Sequence, residues 1–131
     1  MKYLLDSNVC IDLMRGHPNV VAALRRISPE DCAISTVTLF ELVSGAGKSA
    51  NPPREFQRIE KLRAPFIEIP WDESAAIKSA EVRCALESKG QKIGAYDTLL
   101  AGHALALNLI FVTDNVKEFS RVDGLVVENW R

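Results

Sequence analysis

Lys2-Tyr3-Leu4-Leu5-Asp6-Ser7-Asn8-Val9-Cys10-Ile11-Asp12-Leu13-Met14 is the stretch that decides the fold. A short apolar run of strand character stops at Asp6. From Ser7 the pattern turns helical, with Val9, Leu13 and the Ile11/Met14 side apolar, and it closes before Gly16 and Pro18. The same change from strand to helix recurs along the chain. Cys32-Ala33-Ile34 leads into Ser35-Thr36, which can cap a helix running to about Ala46. Phe66 to Ile69 precedes a helix capped by Asp72 that runs through Leu86 and ends at Gly90. Leu109 to Thr113 is the most strand-like run and leads into a short turn or helix ending at Phe119. Further helices are expected over Asn19 to Ile27, Arg54 to Arg63 and Gly94 to Asn108, with Asn51-Pro52-Pro53 as a break and Leu125-Val126-Val127 as a last strand. Strands alternating with helices predict an α/β fold, a three-layer α/β/α sandwich with a central parallel sheet. In such sheets ligands bind outside the carboxyl ends of the strands, near the point where strand order reverses.

Composition narrows the function. The 131 residues suit one domain spanning 1–131, and 47% hydrophobic against 25% charged residues argues against disorder. The formal net charge is −1, so no broad positive field draws in nucleic acid, and any such partner must be held by local charge or by bound metal. Tyr3-Leu4-Leu5 is too short for a secretory signal. The longest apolar run, Leu99 to Val112, is broken by His103 and Asn108 and is too short to span a membrane. Cys10, Cys32 and Cys84 show no CxxC spacing, and we expect buried, reduced thiols in a cytoplasmic protein.

Acids mark the strand ends and helix starts. Asp6 follows the first strand, Glu41 lies about a turn into the helix after Cys32-Ala33-Ile34, Asp97 sits where the Gly94–Asn108 helix begins, and Asp114 follows Thr113. Singly, Asp6, Asp97 and Asp114 read equally well as N-caps, and Thr38-x-x-Glu41 as a capping box. Ser35 and Thr36 cap that helix earlier, however, and Leu39, Leu42, Val43 and Ala46 form an apolar stripe. Glu41 faces the other way, beside Val37, Phe40, Ser44 and Gly45, a side expected to be buried as well. Carboxylates gathered in one cleft repel each other and are tolerated around a cation. An oxygen-only donor set points to Mg²⁺ or Mn²⁺, ions that suit phosphodiester hydrolysis.

These residues carry a resemblance. Tyr3-Leu4-Leu5-Asp6-Ser7-Asn8-Val9, Ile34-Ser35-Thr36-Val37-Thr38-Leu39-Phe40-Glu41-Leu42, Ile93-Gly94-Ala95-Tyr96-Asp97-Thr98-Leu99-Leu100-Ala101 and Val112-Thr113-Asp114-Asn115-Val116-Lys117-Glu118-Phe119 resemble, in order and spacing, the PIN-domain ribonucleases, specifically the VapC toxins of bacterial toxin–antitoxin pairs. The resemblance covers essentially the whole chain. It implies a compact PIN-like α/β/α fold, Mg²⁺- or Mn²⁺-dependent endoribonuclease activity, a homodimer, and neutralisation by a VapB-type antitoxin through which alone the protein meets DNA. Asp6, Glu41 and Asp97 match the family's three acids, with Ser7 where Thr is usual. The fourth acid departs: Asn115 stands in its place, which leaves Asp114 and Glu118 as candidates. Asn115-x-x-Glu118 is also a capping-box pattern. The subgroup most resembled, over Thr38 to Ser49, Ile93 to Ala104 and Gly124 to Trp130, cuts initiator tRNA in the anticodon stem-loop.

Other features are read more plainly. Gly45-Ala46-Gly47-Lys48-Ser49 looks like the tail of a Walker A loop, but Leu42 stands where the first glycine belongs and the segment ends a helix. His103 is expected to be packed and hydrogen-bonded, and Trp71 and Trp130 to pack and not stack on bases. Lys48, Arg54, Arg58, Lys61 and Arg63 outnumber Glu55 and Glu60 and could form an RNA backbone track or a solvated helix face. Ile11, Met14, Phe40 and Val43 suggest a groove for the antitoxin. Two rival readings remain: a PIN-like module that binds RNA or protein without cutting, and a haloacid-dehalogenase-like phosphatase, disfavoured because Asn8 replaces the second Asp.

Overall fold

The strands of the computed structural model, which describes residues 1–131, are β1 (Tyr3–Leu5), β2 (Cys32–Ser35), β3 (Ile67–Ile69), β4 (Ile110–Val112) and β5 (Val127–Glu128). They form one sheet in the order β3-β2-β1-β4-β5, and every neighbouring pair is parallel. Tyr3 stands opposite Cys32 on one side and Ile110 on the other. The helices are α1 (Ser7–Arg15), α2 (Pro18–Arg25), α3 (Thr36–Gly47), α4 (Pro52–Arg63), α5 (Glu73–Ser88), α6 (Ala95–Ala106) and α7 (Val116–Phe119).

The period of two along each strand divides the core. Tyr3, Leu5, Cys32, Ile34 and Val112 face one way and pack with Val9, Cys10, Val20 and Ile59 of α1, α2 and α4. Leu4, Ala33 and Phe111 face the other way and pack with Val82, Leu86, Leu100, Ala104 and Phe119 of α5, α6 and α7. Sheet strands with apolar side chains on both faces need helices on both faces, so the three-layer sandwich expected from the sequence is the observed one. Each fully buried large side chain contributes about 1.5–3 kcal/mol. The second layer is tight: α5 and α6 approach so closely that a Cβ on Gly102 would lie 2.5 Å from the Ser79 backbone nitrogen and Cα.

Several local expectations shift. Asn51-Pro52-Pro53 starts α4 and is no break before it: the Asn51 side chain accepts from Arg54 N at 3.4 Å, and the prolines occupy first-turn positions where no N–H is needed. The last strand begins at Val127, because Gly124, at φ 81°, is still turning the chain. Cys10 and Cys32 are buried as expected, but Cys84 is exposed, since it lies off the Ala75–Ser79–Val82–Leu86 stripe by which α5 is buried. No helix is long and apolar enough to cross a membrane.

The topology places the site. From β1 the chain steps outward to β2 and β3, then returns to β4 on the opposite side. Order therefore reverses between β1 and β4, and the crevice at their carboxyl ends falls at Asp6 and at Thr113-Asp114.

Candidate active site

Asp6 is both a cap and a cleft residue. Its Oδ1 accepts from Ser7 N at 2.7 Å and so caps α1. Its Oδ2 accepts from the buried Thr113 hydroxyl at 2.7 Å, while Asp6 N donates to Val112 O at 3.0 Å. These bonds across the β1–β4 switch fix the carboxylate. Burial nonetheless pushes its pKa up, the hydrogen bonds from Thr113 and Ser7 pull it down, and Asp114 adds repulsion; the net direction is upward.

Glu41 meets Asp6 through Ser7. The Ser7 hydroxyl lies 3.4 Å from Asp6 Oδ1 and 3.5 Å from Glu41 Oε2, so one proton serves two carboxylates. Glu41 Oε1 is buried with no hydrogen-bond partner. Burial, followed by the charge of Asp6, raises the Glu41 pKa. The capping-box reading does not hold: Ser35 Oγ caps α3 by accepting from Val37 N at 3.1 Å, and Thr38 Oγ1 has no partner. The expectation that α3 is buried on both sides is also corrected. Phe40, Val43 and Gly45 are exposed, and Val43 leaves the apolar stripe of Leu42 and Ala46. Glu41 owes its burial to the cleft it shares with Ser7 and Ile11 of α1.

Asp97 lies in the first turn of α6, whose N-cap is Gly94, so Asp97 is not a cap. It lies beside Glu118, whose charge acts on it. Glu118 in turn accepts from Gly94 N at 3.1 Å and from the Asn115 amide at 2.7 Å. Burial, reinforced by Glu118, raises the Asp97 pKa to about 7, whereas the Gly94 N–H and the Asn115 amide hold Glu118 below the usual carboxylate range. Asn115 makes no side-chain cap bond, so the capping-box reading of Glu118 gives way to this bridge between α7 and α6. Asp114 is no cap either. Its Oδ2 lies 3.5 Å from Arg131 Nη1 and its Oδ1 is buried without a partner. Arg131 also forks onto Asp12 at 2.8 and 3.0 Å.

Thr113, Gly94 and Arg131 thus hold the acids, and pattern reading had not singled them out. For Thr113 the signal was a hydroxyl at the end of the strand next to β1. Arg131 offered none, because its partners are distant in sequence. His103 takes no part: it is buried, with Nδ1 2.9 Å from Ser35 Oγ. Trp71 and Trp130 pack as expected, Trp71 Nε1 donating to Leu99 O and Trp130 lying edge-on to Tyr3. The Gly45–Ser49 segment closes α3. The basic track shrinks: Arg58 is spent on Glu55 and Met14 O, and Arg63 on Glu60 and Glu68, which leaves Lys48, Arg54 and Lys61 exposed.

The cleft offers carboxylate and hydroxyl oxygens only, a donor set that suits a hard divalent cation. No three acids already stand around one point as ligands. A groove of about 520 Å³ adjoins Glu41 between α1, α3 and α4, with Ile11, Met14, Leu42 and Ile59 beside Arg15 and Arg58. Phe40 and Val43, expected in this groove, lie outside it on the outer face of α3.

A parallel α/β/α sandwich with acids gathered at the switch point of its sheet is the architecture of PIN-type nucleases, and the PIN domain model matches residues 3–125. The chain is 35% identical over 130 residues to the tRNA(fMet)-specific endonuclease VapC of Salmonella typhimurium and 37% identical to that of Shigella flexneri, covering 99% of this chain and 98% of each relative. The structure superposes on that of the DNA-bound VapBC from Salmonella typhimurium with a TM-score of 0.95 at 34% identity, covering 100% of this chain and 99% of the other. The chain belongs to the PIN-domain family, among its VapC ribonucleases. This kinship sets aside the phosphatase alternative.

Proposed function

We propose that this protein is the toxin of a type II toxin–antitoxin pair, a Mg²⁺- or Mn²⁺-dependent endoribonuclease that cuts once in the anticodon loop of initiator tRNA. The observation that carries the catalytic reading is Glu41 Oε1, a carboxylate oxygen buried without a partner beside Asp6. A buried, unpaired acid costs free energy that a cation offsets. Asp6, Glu41 and Asp97 would hold the ion, with Glu118 as the fourth acid. When bound, a divalent ion lowers the pKa of a water to make a nucleophile and neutralises charge at the scissile phosphate. Ser7 orients the facing oxygens of Asp6 and Glu41, and Thr113 fixes the remaining Asp6 oxygen. Asp114, tied to Arg131, has a supporting place.

The substrate follows from the Salmonella and Shigella relatives, whose names specify tRNA(fMet). A loop fits the chemistry, because an in-line cut needs a splayed phosphate. The partner follows from the DNA-bound VapBC neighbour. A VapB-type antitoxin would lay an apolar segment over Ile11, Met14 and Ile59 with a basic side chain toward Glu41, and DNA would be met only through it. We place the protein in the cytoplasm as a homodimer. Cleavage of total RNA with and without EDTA, followed by 5′-end mapping, tests the reading. A single metal-dependent end in the initiator tRNA loop is expected; EDTA-resistant cutting or RNA binding without turnover overturns the catalytic reading. Dominant cuts elsewhere overturn the substrate alone.

A further inference from the structure

We propose that the Phe40–Tyr96 pair is a stacking platform for a nucleobase beside the scissile phosphate. The inference rests on the ribonuclease reading and extends it to how the RNA is gripped. Phe40 immediately precedes Glu41 on α3, and Tyr96 immediately precedes Asp97 on α6. The two helices begin at different strand ends, yet the rings meet at 5.7 Å between centroids, tilted by 45°. Both remain open to solvent, Phe40 at 55% and Tyr96 at 46% exposure. Single exposed apolar side chains are ordinary on a protein surface. Two aromatics from separate helices, paired with each other and each next in sequence to an acid of the cleft, form a built feature between α3 and α6.

The occupant follows from the electrostatics. The chain carries a net charge of −1 and the cleft is lined by carboxylates, so phosphates flanking the cut meet repulsion from Asp6, Glu41 and Asp97 except where a cation intervenes. Of the basic stretch, Lys48, Arg54 and Lys61 are left free at the end of α3 and on α4, while Arg15 stands on the α1 side of the groove beside Glu41. With so few cations set against these acids, an uncharged source of affinity on the α3–α6 side adds to what they supply. An unstacked base offers a π-face to an aromatic ring, and such a contact contributes binding without discriminating strongly among bases. The platform therefore holds the nucleotide in place while identity is read elsewhere.

The test pairs kinetics with a binding signal that needs no cleavage. Phe40→Ala and Tyr96→Ala are each expected to raise KM for an anticodon stem-loop RNA by about tenfold, with kcat changed by less than about threefold, since one base stack accounts for roughly that factor. Tyr96→Phe, which keeps the ring, restores KM. In EDTA, a short single-stranded RNA carrying 2-aminopurine is quenched on binding the full wild-type chain, and either alanine variant loses the quench. Melting temperatures near wild type confirm that the variants fold, as expected for half-exposed side chains. Unchanged KM with undiminished quenching overturns the platform. So does a shift from dimer to monomer in size exclusion with quenching intact, which assigns the pair to an interface between copies. Quenching by a wild-type chain that cuts no RNA leaves the platform standing and removes the ribonuclease reading.

Discussion

Asp97 of α6 and Glu118 of α7 act on each other, and the asymmetry of their surroundings sets their pKa values apart. Glu118 accepts from the Gly94 N–H and the Asn115 amide, so its charge is solvated by protein. Asp97 has burial and the neighbouring charges of Glu118, Asp6 and Glu41, all of which favour its neutral form. Asp97 is therefore the more readily protonated of the two, its pKa raised to about 7.

The first prediction is the pH dependence that follows. The folded state holds a proton on Asp97 that the unfolded chain releases near its ordinary value of 3.8. The stabilisation is fully present below that value and is lost as pH rises through about 7. Asp6 and Glu41 are shifted in the same direction; Glu118 and Asp12 are shifted oppositely and act only as pH falls into the acid range. In EDTA, the melting temperature of wild type should fall relative to Asp97→Asn between about pH 5 and about pH 8, with the variant the more stable at the upper end. Parallel curves for the two proteins would remove the raised pKa of Asp97.

Divalent cation should offset the same repulsion. An ion that binds only the folded state stabilises it by about 2.7 kcal/mol at a hundredfold excess over Kd, or roughly 10 °C for a domain of this size. We expect the melting temperature at about pH 8 to rise on adding Mn²⁺ and the gain to shrink in Glu41→Gln, which loses the acid with the unpartnered buried oxygen. Scanning fluorimetry checks both, and no shift at millimolar Mn²⁺ counts against a site formed by these acids.

The fourth acid can be ranked by substitution. Asp6→Asn and Asp97→Asn should abolish cleavage while the fold persists. Glu118→Gln, which removes the charge beside Asp97, should lower kcat by about 10–100-fold. Asp114→Asn should cost far less activity, because Asp114 turns to Arg131. Single-turnover cleavage of the same RNA by the four variants measures the order, and the reverse ranking of Glu118 and Asp114 transfers the role to Asp114.

What could be read from the sequence divides along physical lines. The sheet and its two covered faces were legible because strand and helix periods are local signals, as in Lys2 to Met14. The place of Asp6 was legible because it directly ends the apolar run Tyr3-Leu4-Leu5, and that of Glu41 because it falls about a turn into the helix after Cys32–Ser35. Contacts between distant positions were not. Nothing near Thr113 in sequence announces Asp6, and Arg131 reaches Asp12 and Asp114 only because the tail after β5 comes back to α1 and to the end of β4. Side-chain exposure also escaped pattern reading: α3 is apolar on both sides, yet Phe40 and Val43 face solvent. Hydrophobicity alone does not separate a core face from the rim of a site.

The last prediction concerns Gly102, where helix propensity and packing oppose each other. Gly102 lies inside α6, is buried, and has no positive φ. On propensity alone, Gly102→Ala should stabilise a helix by about 1 kcal/mol. The structure argues the reverse, because the added Cβ would meet the Ser79 side chain and come within 2.5 Å of the Ser79 backbone. The obstacle is main chain on a neighbouring helix and cannot turn aside, so α5 and α6 must separate. Overpacking of this kind costs about 1–3 kcal/mol or more, which exceeds the propensity gain. Ser79 also donates its hydroxyl to Leu99 O at 3.3 Å, a bond that the separation would stretch. Gly102→Ala should therefore lower the urea midpoint clearly, with an unchanged m-value. Ser79→Gly in the same chain removes the side-chain part of the clash and should recover part of the loss. A variant as stable as wild type would show that the helices are free to part at this crossing.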